Sequence, residues 1–486
     1  MIDRIIEGCA KHKFLVFLFI GVGVLVGWHS IKNTKLDAIP DLSDTQVIVY
    51  AKWDRSPDIM EDQVSYPITS ALLGMPKVKD IRAFSDFGYS YVYIIFDEGT
   101  DIYWARSRTL EYLNSVTPRL PKGVNVELAK DATAVGWVYQ YALVDDTGTY
   151  SLEQMRTYQD WYLRYALQSV PGVAEVAPIG GFVRQYQVNV DPNKLLAYKI
   201  PINMVVEAVQ KSNNDVGARL VEQTGREYMV RGRGYIKSLA DIASIPLMVN
   251  PQTGTPVLVR DVATVTFGPD IRRGVSELDG KGEVVGGVVI MRFGENAQKV
   301  IERITAKIAE IEPTLPKGLK IVPTYDRSDL IDRSVDNLKH TLVEELIIVS
   351  LVILIFLWHF PSAVIPIVTI PITIILAFIP IQMSGMTANI MSLGGFAVAI
   401  GAMVDAAVVV VEQTHKKLEH WNAEGRPGDY HRVVISAVKE VGGPSFFALL
   451  VIAVAFIPVF TLEAGPSVCR TGVACPGCRA SGCPSG

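Results

Sequence analysis

The sequence predicts an α-helical transmembrane bundle joined to a large α+β region outside the membrane. Three observations predict it. Residues 346–404 contain no Asp, Glu, Lys or Arg. An earlier apolar run, residues 14–31, is long enough to cross a hydrocarbon core of ~30 Å. Between them, residues 32–340 carry charges throughout and alternate strand-like with helix-like segments.

Composition agrees with this mixture. The chain has 486 residues, 49% hydrophobic and 20% charged. So much apolar content excludes a disordered chain. A net charge of −4 gives no reason to expect a nucleic-acid partner. Five Cys in this length exclude a small disulfide scaffold.

Arg4, Lys11 and Lys13 precede the first apolar run, and no small-x-small cleavage site follows it. An uncleaved anchor with a cytoplasmic N-terminus is expected, rather than a signal peptide. Further spans are expected at 342–358, 363–383, 388–412 and 445–462, five in all. Pro366, Pro371 and Pro380 are tolerable there because neighbouring helices satisfy freed backbone groups. The loop 413–443 holds Lys416, Lys417, Arg426, Arg432 and Lys439, which places it in the cytoplasm. Its segment 430–441 reads as a surface helix. Residues 32–340 then lie outside.

The outer region reads as strands at 46–53, 78–84, 89–96 and 124–128, with helices at 57–74 and 101–116. Ser56 is the expected cap of the first helix. This is the ferredoxin-like split βαβ order. The order recurs with a strand at 137–144, a helix at 151–169 and a strand at 173–177. It resumes with a strand at 286–293, a helix at 297–311 and a strand at 319–323. The letters repeat as well: LPKGVNVEL begins at Leu120 and LPKGLKIVP at Leu315. An insertion at 181–277, with a helix at 202–211 and a strand near 228–231, separates the halves and is expected to serve contacts.

No enzyme constellation is present: there is no phosphate-cradling loop, no nucleophile elbow and no metal-spaced His. The ending GPSVCRTGVACPGCRASGCPSG carries Cys469, Cys475, Cys478 and Cys483, with Cys9 the only other Cys. Its lone CxxC is weak evidence for zinc. The ending is unlike everything before it and reads as non-native coding, such as a shifted frame.

Asp405, in AIGAMVDAAVVVVEQ, is the informative position. A carboxylate inside a span costs roughly 2.5–3.5 kcal/mol, so a function is expected of it. Burial would favour its neutral form and suit it to load and release a proton. Glu412 lies two turns along the same face, where a proton role competes with a plain surface role. Gly394, Gly395, Ala397, Gly401, Ala402, Ala406 and Ala407 are small and are expected to let helices approach. Met391 and Met403 offer soft thioethers suited to Cu(I), although two Met in an apolar helix are more often simple packing.

Several segments taken together resemble the resistance-nodulation-division transporters. They are PDLSD from Pro40, YWARSRTLEYLN from Tyr103, TYDRS from Thr324, ANIMSLGGF from Ala388 and GAMVDAA from Gly401. The resemblance is closest to the heavy-metal efflux pumps and covers residues 1 to about 464. It implies a proton antiporter of the bacterial inner membrane, homotrimeric, working with a periplasmic adaptor and an outer-membrane channel. It implies a first porter subdomain at 36–134 and a second at 135–180 with 278–330. A docking subdomain would occupy 181–277, and residues 1–35 and 331–464 would supply the membrane helices. Residues 465–486 lie outside it. Asp405 matches the proton-relay aspartate. Ala399 stands where the divalent-cation pumps place a second Asp. GAMVDAA resembles the copper/silver branch, with Met391 and Met403 at relay positions, although Val410 stands where a further Met is expected.

The implied cargo is Cu(I) or Ag(I), and no resident cofactor is implied. Such pumps are about twice as long, so the chain reads as an N-terminal half, inactive alone. The competing readings are a divalent-cation or drug exporter of the same superfamily, and a non-transporting membrane scaffold.

Overall fold

A computed structural model describes residues 2–460, apart from 40, 42, 250–253, 272–273, 358–359 and 427. The Cys-rich ending and the last residues of the expected fifth span lie outside the described residues. The chain divides into two units: Asp41–Leu330, and the N-terminal segment together with residues from Ile331 onward.

The first unit holds two four-stranded sheets. One contains β1 (Gln46–Lys52), β2 (Val78–Asp86), β3 (Tyr89–Phe96) and β4 (Asn125–Leu128), in the order β2-β3-β1-β4. Chain order continues with β5 (Trp137–Asp145) and β6 (Val173–Ile179). The next three strands are β7 (Arg184–Val190), β8 (Val216–Gln223) and β9 (Arg226–Gly232). Then come β10 (Pro246–Val249), β11 (Pro256–Leu258), β12 (Ala263–Pro269), β13 (Val285–Met291) and β14 (Leu319–Asp326). The second sheet is β14-β5-β13-β6. In both sheets the first strand in chain order lies between the third and the fourth.

Alternation explains the core of the first sheet. Val47, Val49 and Ala51 of β1 are buried, while Gln46, Ile48 and Tyr50 face the other way. Met60, Val64, Ile68 and Leu72, four residues apart, lay one helical stripe over them. Fully burying each such side chain stabilises by about 1.5–3 kcal/mol. The 101–116 helix is capped by Asp101, whose carboxylate accepts the Trp104 amide at 2.8 Å. Ser56 occupies the N-cap of the Pro57–Met60 helix, but its side chain makes no capping bond there.

The repetition extends below the letters. Both LPKG turns follow a 3-10 turn, Thr117–Arg119 and Glu312–Thr314. Both end on a glycine in the left-handed region, Gly123 at φ 92° and Gly318 at φ 98°, where a side chain would be strained. The first helix of each repeat also contains one π-turn, Glu61–Ser65 and Gln159–Leu163. Each π-turn presses a buried polar group onto its sheet. Ser65 shares hydrogen bonds of 2.7 Å with Ser85 and Ser90. Tyr141 donates to Gln159 Oε1 at 2.9 Å, and burial pushes the Tyr141 phenol up, so it stays a donor.

The 181–277 insertion leaves and returns through one antiparallel pair. It runs from Arg184 opposite Pro269 to Val190 opposite Ala263. Its own core gathers Ile200, Val205, Ile242, Ile245, Val257 and Val259. The hairpin β8–β9 stands apart from that core, with every residue of β9 exposed.

The second unit is helical. Among the described residues, three helices are long and apolar enough to cross a membrane: Lys13–Asn33, Ile390–Ala423 and Tyr430–Ala455. The helix Phe360–Met383 covers the expected 363–383 span, and the expected 342–358 span is the end of the longer helix Arg327–Leu357. Each of the five expected spans thus falls on a helix, and among the described residues length and composition qualify three of them. The expected 413–443 loop is largely helical. Its first part continues the Ile390–Ala423 helix and its last part begins Tyr430–Phe460, leaving residues 424–429 as the connection. Gln413, Lys416, Lys417 and Leu418 are good helix formers with nothing to stop them before Gly425, at φ 84°.

Candidate functional site

The Ile390–Ala423 helix carries every candidate site residue. Asn389 fixes its start by accepting the Ser392 amide at 3.0 Å. Ile400 and Val404 are buried against Ile370 of the Phe360–Met383 helix, with Leu342, Leu346 and Val349 packed around them. Their spacing of four defines the packed face.

That face decides the placement of Asp405. Successive residues turn ~100° about a helix axis, so burying Val404 turns Asp405 out of the packing. Asp405 is exposed within this chain. Packing within this chain thus does not supply the expected burial. Hydropathy identifies the span, while side-chain packing selects which face is covered.

The two methionines are not brought together. Met391 is 70% exposed, and Met403 packs against the cluster of Ile370, Ile400 and Val404. At 1.5 Å per residue they lie ~18 Å apart along the axis. They can be separate stations but not one chelating pair. Val410 and Ala407 line a cleft of about 880 Å³ further along the helix. Glu412 is held by Lys416 at 2.6 Å in an exposed i,i+4 pair, the geometry of its plain surface role. Among the described residues, no group of three or more His, Cys, Asp or Glu could hold a metal ion.

Close helix approach occurs elsewhere than expected. Among the described residues, a Cβ added at Gly394, Gly395 or Gly401 would meet nothing within 4 Å. On the Lys13–Asn33 helix, a Cβ at Gly27 would sit 2.5 Å from the Ile375 carbonyl oxygen, and one at Gly23 2.7 Å from Leu376. These two glycines, four apart on one face, form the tight contact, and the sequence reading passed over them. It also passed over Glu345. One oxygen of that carboxyl is buried without a hydrogen-bond partner among the described residues.

Two sets of contacts tie the ends of the helices. The Asp37 amide donates to the Ala388 carbonyl at 3.0 Å, and the Ala388 amide to the Lys35 carbonyl at 2.9 Å. The exit of the first span thus meets the entry of the Asp405 helix. At the opposite end, Lys417 pairs with Glu440 at 2.5 Å, and Lys439 with Glu7 at 2.9 Å. The Lys439 and Lys11 ammonium groups hold the Glu7 carboxyl down to about 2.

Comparison with known proteins places this geometry. The AcrB/AcrD/AcrF family matches residues 6–466. The chain is 48% identical over 469 residues to the cation efflux system protein CusA of Escherichia coli (strain K12), covering 95% of this chain and 45% of that protein. It is 34% identical over 474 residues to the cobalt-zinc-cadmium resistance protein CzcA of Cupriavidus metallidurans, covering 95% and 44%. A crystal structure of a heavy metal efflux pump superposes with a TM-score of 0.80 at 32% identity, covering 94% of this chain and 44% of that one. The chain spans about half the length of the curated relatives it matches. With the match running through both units, the chain belongs to the AcrB/AcrD/AcrF family, the transporters its motifs resemble.

Proposed function

We propose that the chain is part of an inner-membrane subunit of a proton-driven efflux pump that exports Cu(I) or Ag(I). The observation that carries this reading is the 48% identity to a cation efflux system protein over 95% of the chain. The 34% identity to a cobalt-zinc-cadmium resistance protein is lower, and Ala399 lacks the second carboxylate of the divalent branch. Asp405 is the proton carrier in this reading. Glu412 is secondary, since Lys416 already neutralises it. Met391 and Met403 are separate stations for a soft cation.

The two four-stranded sheets act as porter subdomains and the 181–277 insertion as the docking subdomain. A cytoplasmic N-terminus and a periplasmic outer region are supported by the paired helix ends: Lys11, Lys417 and Lys439 gather at one end, and the exit of the first span meets Ala388 at the other. A homotrimer with a periplasmic adaptor and an outer-membrane channel completes the assembly. The exposed hairpin β8–β9, with Leu220, Val221, Tyr228 and Met229 uncovered, supports a subunit contact.

The test places this chain within a full-length pump in a metal-sensitive, pump-deleted strain, with adaptor and channel supplied. Growth is scored on copper, silver, zinc and cobalt. Resistance to copper and silver alone is expected; resistance to zinc and cobalt alone would assign the divalent branch.

A further inference from the structure

The cleft of about 880 Å³ beside Ala407 and Val410 plays no part in the proposed proton and cation path. Ala407 and Thr414 line it, and at ~100° per residue both are turned roughly 160–180° from Asp405. Three helices wall it: Phe360–Met383, Ile390–Ala423 and Tyr430–Phe460. From Ala407 to Asn422 it follows the Ile390–Ala423 helix for ~22 Å. One membrane leaflet with its headgroups is ~20–22 Å deep, half of a full bilayer.

The lining changes character along that length. Around Ala407 it is apolar, with Val410 and Val411 on one wall and Ile365 on another. About three turns beyond Val410, Trp421 and Tyr430 meet edge to face at 5.9 Å. Such rings are enriched at the membrane–water boundary. Beside them stand one cation, Arg426, and one anion, Glu419. Arg426 donates to Asn422 Oδ1 at 3.1 Å and lies 6.0 Å from the Trp421 ring. Among the described residues, neither Arg426 nor Glu419 has an ion-pair partner, whereas Lys416 and Lys417 on the same helix are taken by Glu412 and Glu440.

A cleft that is apolar at one end and carries both charges at the other fits an amphiphile with a zwitterionic head. A helix ~10 Å across lying along it would need roughly 1,700 Å³, about twice the space. An extended acyl chain is slimmer and suits the narrower cleft. We propose that the cleft holds a phospholipid whose head carries a phosphate and a primary ammonium, phosphatidylethanolamine. Its acyl chain lies against Ala407, Val410 and Val411. Arg426 binds the phosphate through its planar fork, and Glu419 takes the ammonium. The proposal does not depend on which ion is pumped.

The test counts lipids on the purified full-length pump by native mass spectrometry, after delipidation and titration with phosphatidylethanolamine or phosphatidylglycerol. The second lipid keeps the phosphate and lacks the ammonium. The unmutated pump is expected to favour phosphatidylethanolamine roughly fivefold, as one exposed ion pair allows. Glu419→Gln should erase that preference. Arg426→Gln should weaken both lipids roughly fivefold. Ala407→Phe, which fills the apolar end, should remove the site. The intact mass reports the assembly of each variant in the same spectrum. Equal binding of the two lipids by the unmutated pump, or a preference that survives Glu419→Gln, overturns the proposal. So do lipid counts that neither Arg426→Gln nor Ala407→Phe changes, which would leave the cleft to another segment of the longer protein. Should Ala407→Phe fail to assemble, Arg426→Gln alone decides the site.

Discussion

Glu7 and Lys439 lie 432 positions apart in the chain and meet at 2.9 Å, in an ion pair that Lys11 completes from the helical turn after Glu7. The contact clasps the short Ile2–Lys11 helix to the Tyr430–Phe460 helix. Beside it Ile6 fills the space above Gly442, where an added Cβ would lie 2.8 Å from its Cδ1.

The clasp carries a pH dependence of known sign. The Glu7 carboxyl is depressed from 4.5 to about 2, first by its hydrogen bond to Lys439. A depressed carboxyl contributes above its unfolded value and loses that contribution as pH falls through its folded value. The clasp should therefore persist at about pH 4 and open as pH approaches about 2. Carboxyl carbon shifts of labelled Glu7 would follow it. A midpoint near 4.5 would show that the pair does not form.

Gly27 allows the first span to touch the Ile375 backbone. Gly27→Leu should force the helices apart at a cost of about 1–3 kcal/mol, as overpacking does. Gly394→Leu, at an open site, should cost far less. Detergent-melting midpoints of the two variants would compare them, and equal shifts would argue against the Gly27 contact.

Asp101 holds the Trp104 amide at 2.8 Å and starts the helix that carries Tyr103 and Arg106. Loss of such a cap costs about 0.5–2 kcal/mol. Asp101→Ala should lower stability by that amount, while Asp101→Ser should recover most of it. Denaturant titration of the outer region reads the difference directly.

In a full-length pump, Asp405→Asn should abolish metal resistance with expression retained. Asn keeps the shape and polarity but cannot exchange a proton. Each charge moved across the membrane potential is worth about 2.3 kcal/mol per 100 mV, and that coupling needs a titrating group. Glu412→Gln should leave resistance largely intact, because Lys416 already pairs that carboxylate. Full resistance in the Asp405→Asn variant would remove the proton role.

Orientation can be read with single cysteines, one replacing Gly148 in the turn after β5 and one replacing Glu424 in the connection after the Asp405 helix. An impermeant thiol reagent added to intact cells should label the first and miss the second. Labelling in the reverse order would invert the proposed topology.

Much of this protein was legible in its letters because the relevant signals are local. An uncharged stretch marks apolar helices wherever it lies, and period-two alternation marks β1 and β3. LPKG followed by a strand marks a turn that needs a left-handed glycine, and it folds alike at Gly123 and Gly318. The motif around Asp405 is equally local, and so is the family resemblance it carries. What the tertiary structure alone decided are relations between distant residues. Hydropathy is averaged over a helix and has no direction, so it could not say that Val404 faces Ile370 while Asp405 turns away. It also could not say that Gly23 and Gly27, rather than Gly394, Gly395 and Gly401, meet a neighbouring helix closely among the described residues. Composition counts glycines, whereas close approach depends on which backbone arrives opposite them. The meeting of Tyr103, Asp131 and Arg292 was beyond local reading for the same reason. A hydrogen bond across 161 residues leaves no period in the sequence, and only the packing of one repeat against the other brings its ends together.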